Sequence, residues 1–525
     1  MFSNVKNSHL IKHFMHLEGG GGLLQAYRIR VTKDAFSVLK RFRQFYFSRP
    51  YFKFVLFYLI GKKKKAFHIQ NVVIQNCQEP LNISLKNLKH SYALYSNLKN
   101  LIPQIKNWIH SKEFQEEYIQ NHHPFPPFLN PKQIHYDFIF PEVAWDLNLP
   151  LPDNYQFIFL SCHGVGRSAA GSYFLSCGLP YLNQFVHILG NKERYQAYYQ
   201  FLLENKNHYN IVTFSELRTD HQKFIHLLKP RPFLILIRDP ISNLKSVLNL
   251  SNAMLNIKRK AFLTLQETNV QFLKKYHYPL NDEKIMQWTS HVLEPFNEPF
   301  TFQLIQGKPT IIQTEDIIPQ NAFQTFQKLA HIFKFNPPQE KNKNMFENNL
   351  IQGMLAVCFP IVLRIFSSDL NLNKNNYNNN LDYFDIFVSY DIHWNYEYQQ
   401  NNQKNFENIT SIFNIQQNTV NGLCIYLEQQ FLSYIQQDFV LIQKIKNYIE
   451  NLLQSLKQEN ELFKQYNYTE KDILIFLKHS PKSRIFLQQH IHERMDYLKN
   501  NHPDIVQSWK YYLNFEKMCQ ELENK

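Results

Sequence analysis

The sequence predicts an α/β protein: a three-layer domain with a parallel central sheet at residues 151–338, flanked by mostly helical regions. From Tyr155 to about Pro338, short apolar runs alternate with amphipathic stretches, which is the pattern of parallel strands joined by helices. A glycine-rich turn joins the first apolar run to the helix that follows it. Of the 525 residues, 44% are hydrophobic and 15% aromatic, so the chain can bury a large core.

The individual elements follow from these apolar runs and their spacing. Strands are predicted at Gln156–Ser161, Phe185–Leu189, Ile211–Phe214, Phe233–Arg238 and Thr310–Gln313. Helices are predicted over 168–177, 191–205, 240–250, 253–276, 283–295 and 321–334. The alternation of the two kinds of element indicates a parallel sheet with crossover helices.

Composition divides the chain into further regions. Seven of the ten residues 371–380 are Asn, which indicates a loop, and beyond about residue 403 the pattern is helical with Gln- and Lys-rich faces. The predicted regions are a flexible N-terminus at 1–35, a helical region with a connector at 36–150, the α/β domain at 151–338, an Asn-rich loop region at 339–402 and a helical region at 403–525.

Charge and cysteine usage indicate the partners and the compartment. Lys and Arg exceed Asp and Glu by 14, which favours an anionic partner, although a Lys- and Asn-biased proteome would give the same excess. Six cysteines without a CxxC pair favour the reducing cytoplasm. No zinc-finger spacing or basic-region heptad is present, so nucleic acid is not an expected partner.

The sequence was searched for a signal peptide, for a membrane-spanning segment and for a surface that could contact a membrane. The N-terminus lacks the apolar core of a signal peptide, and no apolar run reaches the roughly 20 residues that span a bilayer. Residues 37–65 mix aromatic side chains with Lys and Arg. A buried helix with a solvated Lys tail is the favoured interpretation of this stretch. The alternative is peripheral contact with the anionic inner face of a membrane.

Glycine is scarce, with 13 residues in the chain, yet three lie between the first strand and the body of the next helix. Glycine allows a positive φ and a close approach of the backbone to an anion, and the N–H groups that open a helix point at such a ligand. Arg and Ser side chains add donors. The predicted anion-binding residues are Gly164, Gly166, Arg167, Ser168, Gly171 and Ser172. A tight strand–helix turn with incidental glycines is the structural alternative.

A second segment offers further donors. The apolar strand that ends at Ile237 is followed by Arg238, and Asp239 and Pro240 suit the cap and first position of a helix. Ser246 lies seven residues beyond the cap, about 10 Å along the helix axis. Arg238 and Ser246 are therefore predicted to hold two sides of one phosphate. The alternatives are a structural salt bridge for Arg238 and a plain surface position for Ser246.

The two segments resemble the P-loop-like sulfotransferases that use 3′-phosphoadenylyl sulfate (PAPS). In that family a (K/R)SGTT-type loop binds the 5′-phosphosulfate, and a later R-(D/N)-P strand end, with Ser eight positions after the Arg, binds the 3′-phosphate. Arg167 with Ser168 matches the first element, and Arg238 with Ser246 matches the second. Residues 308–336 are similar to the family's late strand, Glu-Asp turn and helix.

The resemblance covers residues 155–338 and implies a three-layer, sulfotransferase-like P-loop domain. Its nearest likeness is to an uncharacterised bacterial group linked to surface glycans. It implies transfer of a sulfuryl group from PAPS to a hydroxyl of a carbohydrate or other small acceptor, leaving adenosine 3′,5′-bisphosphate and requiring no metal. Arg167 would neutralise the charge that develops on the sulfuryl group. The family's base lies between the phosphate segments, where His221 and Glu216 are the candidates.

The chain departs from the family pattern in the loop itself. Ala169, Ala170 and Gly171 stand where the family has G-T-T. This departure favours a second hypothesis, a catalytically inactive sulfotransferase-fold protein that binds or scaffolds in surface-glycan biosynthesis. A third hypothesis is another nucleotide-dependent transferase or kinase. The retained spacing of Arg238 and Ser246 favours the enzyme.

Overall fold

The computed structural model describes residues 103–180, 190–214, 222–258, 260–268, 270–274, 276–293, 308–347, 358–370, 382–390, 406–415 and 423–524. The chain divides into two compact units. The first comprises Met1–Tyr155, Phe185–Asn210 and Arg218–Arg231, and the second comprises Gln156–Gln184, Ile211–Leu217 and Pro232–Lys525. Residues 37–65 and the predicted strand Phe185–Leu189 lie outside the described residues.

The described part of the first unit is largely helical and aromatic. Its α-helical residues are 103–109, Lys112–Phe114, Pro141–Asp146, Asn191–Glu204 and Gln222–His226, with a π-helix at Gln115–Ile119 and a 3-10 helix at Tyr136–Phe138. Tyr195 and Tyr199 are fully buried on one helix, and each hydroxyl donates to backbone carbonyls, for instance that of Leu149 at 2.8 Å. Their rings therefore fill the core without leaving the hydroxyls unsatisfied.

The described residues contain nine strands in two sheets, seven of them wholly within the second unit. They are β1 (Tyr155–Leu160), β2 (Asn210–Phe214), β3 (Phe233–Ile237), β4 (Leu263–Thr264), β5 (Thr310–Gln313), β6 (Ile361–Phe366), β7 (Tyr383–Tyr390), β8 (Phe406–Asn408) and β9 (Leu423–Glu428).

The α-helices described for the second unit run from the first strand to the C-terminus. They are α1 (Arg167–Ser176), α2 (Pro240–Asn256), α3 (Asp282–Val292), α4 (Ala322–Phe333), α5 (Lys343–Glu347), α6 (Thr410–Phe413), α7 (Leu432–Gln436), α8 (Phe439–Phe463), α9 (Glu470–His479), α10 (Pro481–Arg494), α11 (Asp496–Asn501), α12 (Pro503–Ser508) and α13 (Lys510–Glu523). None of the helices in the described ranges is both long enough and apolar enough to cross a membrane.

A four-stranded sheet of order β2-β1-β3-β5 carries the glycine-rich turn, and β1, β3 and β5 are parallel. Four helices contact β1 and the residues just after it. The Phe157 ring meets Phe174 of α1 and Phe333 of α4, and Cys162, two residues after β1, contacts Asn243 of α2 and Val292 of α3. The predicted α/β class with a parallel sheet is thus confirmed, and the four described strands lie within a residue of their predicted bounds.

A second sheet, of order β4-β6-β7-β9-β8, corrects the predictions for the C-terminal half. The sequence predicted a loop region at 339–402 and helices from 403, but β6 to β9 lie there and pair antiparallel. One face of this sheet packs on α8 through residues such as Leu363 and Ile449. On the other face, Arg364 makes a bidentate pair with its cross-strand partner Asp385, at 2.7 and 2.9 Å.

The helix predicted over 253–276 is also wrong beyond its first turn, because α2 ends at Asn256. The side-chain amide of Asn256 donates to the carbonyl of Tyr276 at 2.9 Å and accepts from its N–H at 2.7 Å. The backbone of Asn256 accepts from the N–H of Lys274. The Asn256 side chain therefore pairs with extended backbone instead of supporting a further helical turn.

Candidate anion-binding site

The turn after β1 is built around two glycines with left-handed backbone. Gly164 has a φ of +83° and Gly166, the N-cap of α1, has a φ of +92°. An L side chain rarely adopts such a φ, so glycine suits both positions. The strand, the turn and the helix thus occur in the predicted order.

Close packing is a second reason why glycine occupies positions 164 and 166. A Cβ atom on Gly164 would lie 2.2 Å from Oδ1 of Asn243, and one on Gly166 would lie 3.0 Å from Cδ1 of Ile317. The turn is therefore pressed between α2 and the segment after β5. This packing alone explains Gly164 and Gly166, as the tight-turn alternative predicts. An anion site here would therefore depend on the charged residues around the turn.

Arg238 links the two segments that the sequence singled out. Its Nη1 donates to Oγ of Ser246 at 2.7 Å and to the carbonyl of Gly164 at 3.0 Å. The spacing of eight positions between Arg238 and Ser246 does bring their side chains together. It also brings the guanidinium against the glycine turn, at the carboxyl end of the parallel strands, where ligands bind in open α/β sheets.

The positive charge of Arg238 has no carboxylate partner among the described residues, so the predicted salt-bridge alternative is not observed there. Its Nε is buried and makes no hydrogen bond within the described part of the chain. The neighbouring Asp239 carboxylate instead accepts four backbone N–H bonds, two of them at the start of α2. Burial raises the pKa of Asp239, and those four bonds lower it in part. A half-buried cation with a spare donor has the charge and the hydrogen-bonding capacity to bind an anion.

The remaining predicted residues of the turn lie on α1. Arg167 opens the helix and is buried, with 6% of its surface exposed, and Ser168 next to it is exposed. Ser172 is buried and its hydroxyl donates to the carbonyl of Ser168 at 3.2 Å. Gly171 lies buried inside the helix. The hydroxyl of Ser172 is thus engaged with its own helix, and the cofactor roles of these four residues stay predictions.

The third segment reaches the same edge of the sheet. After β5, residues Thr314–Ile317 form a 3-10 turn with a capping box between Gln313 and Asp316, and α4 follows. The hydroxyl of Thr314 donates to the carbonyl of Val165 at 2.8 Å. All three segments of the resemblance therefore meet around the glycine turn.

Sequence reasoning missed two side chains that contact this turn, one from α2 and one from the 3-10 turn after β5. Asn243 is buried, and its Nδ2 donates to Sγ of Cys162 at 3.1 Å while its Oδ1 is without a hydrogen-bond donor in the described ranges. Thr314 was part of the third segment but was not singled out. No sequence pattern marks Asn243, because its role comes from the approach of α2 to the turn.

The two predicted bases, His221 and Glu216, lie outside the described residues. Among the residues that are described, no three His, Cys, Asp or Glu side chains are grouped so that they could hold a metal ion.

Comparison with known proteins adds one match. The model of a family described as a protein of unknown function (DUF2972) matches residues 311–522, less than half of the chain. The matched stretch begins in β5 and extends into α13. No curated protein and no solved structure matches the chain.

Proposed function

We propose that this chain binds PAPS at the carboxyl edge of its four-stranded sheet and transfers the sulfuryl group to a hydroxyl, with a surface carbohydrate as the acceptor class. One observation carries the proposal: Arg238 donates to both Ser246 and the carbonyl of Gly164, has a buried, unpartnered Nε, and lacks a carboxylate partner among the described residues. The excess of 14 basic residues supports an anionic cofactor and acceptor.

The residues present fit the two ends of such a cofactor. Arg238 and Ser246 would bind the 3′-phosphate, because a guanidinium and a hydroxyl provide the charge-assisted bonds that a phosphate takes. The N-terminus of α1, which has no acidic residue in its first turn, would face the 5′-phosphosulfate. We propose the reducing cytoplasm as the place of the reaction.

PAPS supplies an activated sulfuryl group and a good leaving group when it is bound. Arg167, at the first position of α1, would stabilise negative charge at the leaving oxygen. His221, or Glu216 in its place, would accept the proton of the acceptor hydroxyl. Transfer of this kind depends on position and charge more than on covalent chemistry by the protein.

Isothermal titration with adenosine 3′,5′-bisphosphate tests the binding half of the proposal. We expect binding in the micromolar range and a loss of about 10- to 100-fold in Arg238→Ala, since a charge-assisted bidentate site is lost. Lys328→Ala removes one exposed cation from α4 and should leave the affinity unchanged. No binding to a folded wild-type chain would reject the proposal, and preference for ATP would favour another nucleotide-dependent transferase or kinase.

Ser246 has a matched control on α1. The hydroxyls of Ser246 and Ser176 each donate to the carbonyl four residues earlier, at 3.0 and 2.9 Å. Ser246→Ala and Ser176→Ala therefore lose the same kind of helix bond, but Ser246→Ala alone removes an acceptor of Arg238. We expect a weaker bisphosphate affinity in Ser246→Ala only, and equal effects would assign Ser246 to the helix surface.

A second function, binding without catalysis, is favoured by the side chains of α1. Ala169 and Ala170 offer no hydroxyl, and that of Ser172 is bonded to Ser168. Sulfuryl transfer from radiolabelled PAPS to a carbohydrate acceptor separates the two functions. Bisphosphate binding without transfer over a range of acceptors would favour the inactive scaffold.

A further inference from the structure

The surface of α2 beside Arg238 carries further polar residues. Lys245 and Ser246 lie three and four positions after Ser242, so the side chains of both are neighbours of Ser242 on the helix surface. Ser246 accepts from Arg238 and donates to the carbonyl of Ser242. The hydroxyl of Ser242 donates to Oε1 of Glu470 at 3.2 Å, and Nζ of Lys245 lies 3.0 Å from the same oxygen. A continuous set of contacts thus leads from Arg238 to a second cation.

Both members of this ion pair are largely shielded from water. The side chain of Lys245 is 21% exposed and that of Glu470 is 17% exposed. Burial raises the pKa of Glu470, but the hydrogen bonds from Lys245 and Ser242 and the charge of Lys245 outweigh burial and hold it below its usual value. Glu470 is therefore ionised near neutral pH, and in this setting each charge acts strongly on any third charge brought beside it.

Glu470 is held there by the C-terminal region. It is the first residue of α9, whose N-cap Thr469 forms a capping box with Asp472. Just before it, the backbone of Tyr468 exchanges two hydrogen bonds with the side chain of Asn249 on α2, at 2.9 and 2.7 Å. The helix cap and the contact with Asn249 thus hold the Glu470 carboxylate against α2.

The positive charge beside Ser246 is smaller than the negative charge of a phosphate monoester. A phosphate monoester carries about −1.5 to −2 charges near pH 7. Arg238 supplies one positive charge, and that of Lys245 is cancelled by Glu470. If Lys245 exchanged its carboxylate partner for the phosphate, two cations instead of one would contact the ligand.

We propose that Lys245 is a ligand-binding residue of the 3′-phosphate subsite, and that Glu470 is an acidic competitor that holds Lys245 until the phosphate binds. This inference rests on the proposed function and names a cation and a carboxylate that neither the resemblance nor the family match assigns. The carboxylate comes from the C-terminal region, which thereby sets the affinity of the site.

The two ends of this ion pair should have opposite effects on affinity. We would titrate the full chain with adenosine 3′,5′-bisphosphate and with adenosine 5′-monophosphate, which lacks the 3′-phosphate. Lys245→Met is expected to weaken bisphosphate binding about tenfold and Glu470→Gln to strengthen it several-fold, with the monophosphate affinity unchanged in both. Lys245→Arg should retain most of the affinity. The midpoint of thermal unfolding should fall by a similar small amount in Lys245→Met and Glu470→Gln, because both lose the same ion pair.

A purely structural ion pair would give a different result. If Lys245→Met and Glu470→Gln both weaken the bisphosphate, or if neither changes its affinity, the inference is wrong. Lys328→Met, an exposed cation on α4, controls for the loss of net charge. A wild-type chain that binds the bisphosphate no more tightly than the monophosphate would lack a 3′-phosphate subsite, and the proposed function would fail as well. Discrimination by the wild type without an effect of the variants would reject only the role of Lys245 and Glu470.

Discussion

The carboxylate of Asp239 accepts a hydrogen bond from the backbone N–H of Tyr512, 3.1 Å away and 273 positions later in the chain. The same oxygen accepts from Tyr511, while the other oxygen accepts from Ile241 and Ser242. One side chain therefore caps two helices, α2 and α13, and its negative charge faces the positive ends of both. The Asp239 carboxylate is therefore paired with backbone N–H groups of two helices and does not form an ion pair with the adjacent Arg238.

Asp239→Asn should release α13 while α2 keeps its cap. An asparagine has one acceptor oxygen, so its NH2 group would face the N–H groups of Tyr511 and Tyr512. We expect a loss of about 1–2 kcal/mol in unfolding free energy, in line with lost helix caps. Hydrogen exchange followed by mass spectrometry should show faster exchange at the start of α13.

The control for this cap is Asp472→Asn, which alters the exposed capping box of α9. Its effect should be confined to the first turn of α9. Unchanged protection of Tyr511 and Tyr512 in Asp239→Asn would show that packing, not the cap, fixes the start of α13.

Gly164→Ala should be far more damaging than Gly178→Ala, although both glycines have a positive φ, +83° and +78°. Each substitution forces a left-handed residue, which costs about 1–2 kcal/mol. Only at position 164 does the new Cβ meet neighbours, Asn243 at 2.2 Å and Val247 at 2.9 Å, and overpacking adds about 1–3 kcal/mol. Denaturant unfolding of the two variants measures the difference. Equal losses would mean that α2 moves away from the turn at little cost.

The first unit should lose stability in mild acid because of two histidines. The rings of His123 and His226 lie 5.7 Å apart, and burial lowers the pKa of both below the usual 6.5. The unfolded chain then binds more protons than the folded chain as the pH falls below 6.5, so unfolding becomes easier. The double variant His123→Gln, His226→Gln should have a flatter dependence of unfolding free energy on pH between 7 and about 5.

A double variant with an undiminished slope would mean that other groups cause the acid sensitivity.

The four-stranded sheet was predictable because each of its strands is a short apolar run, and because helix-start residues follow β1 and β3. Asp239 and Pro240 mark the start of α2, and they do so in the structure. The Arg238–Ser246 contact was also predictable, since Arg238 directly precedes the helix cap and helix geometry fixes the distance from that cap to Ser246. These features depend on neighbouring residues, so the sequence alone specifies them.

The second sheet was not predictable in the same way. Its strand β4 has two residues and pairs with β6 about 100 residues later, through Leu263 and Leu363. Asn-rich stretches separate the other strands and hide the pattern of alternation. Asn243 and Glu470 were missed for the same reason, because their partners at Cys162 and Lys245 become neighbours only when distant segments fold together.

The position of β5 has a consequence for how the C-terminal part of this protein can be isolated. The family match starts at residue 311, inside β5, whose parallel partner is β3. A fragment that begins there would contain β5 without its neighbouring strand β3. It would also lack Asp239, so the start of α13 would have no cap. Independent folding of the fragment is therefore not expected, and expression should begin upstream of β1.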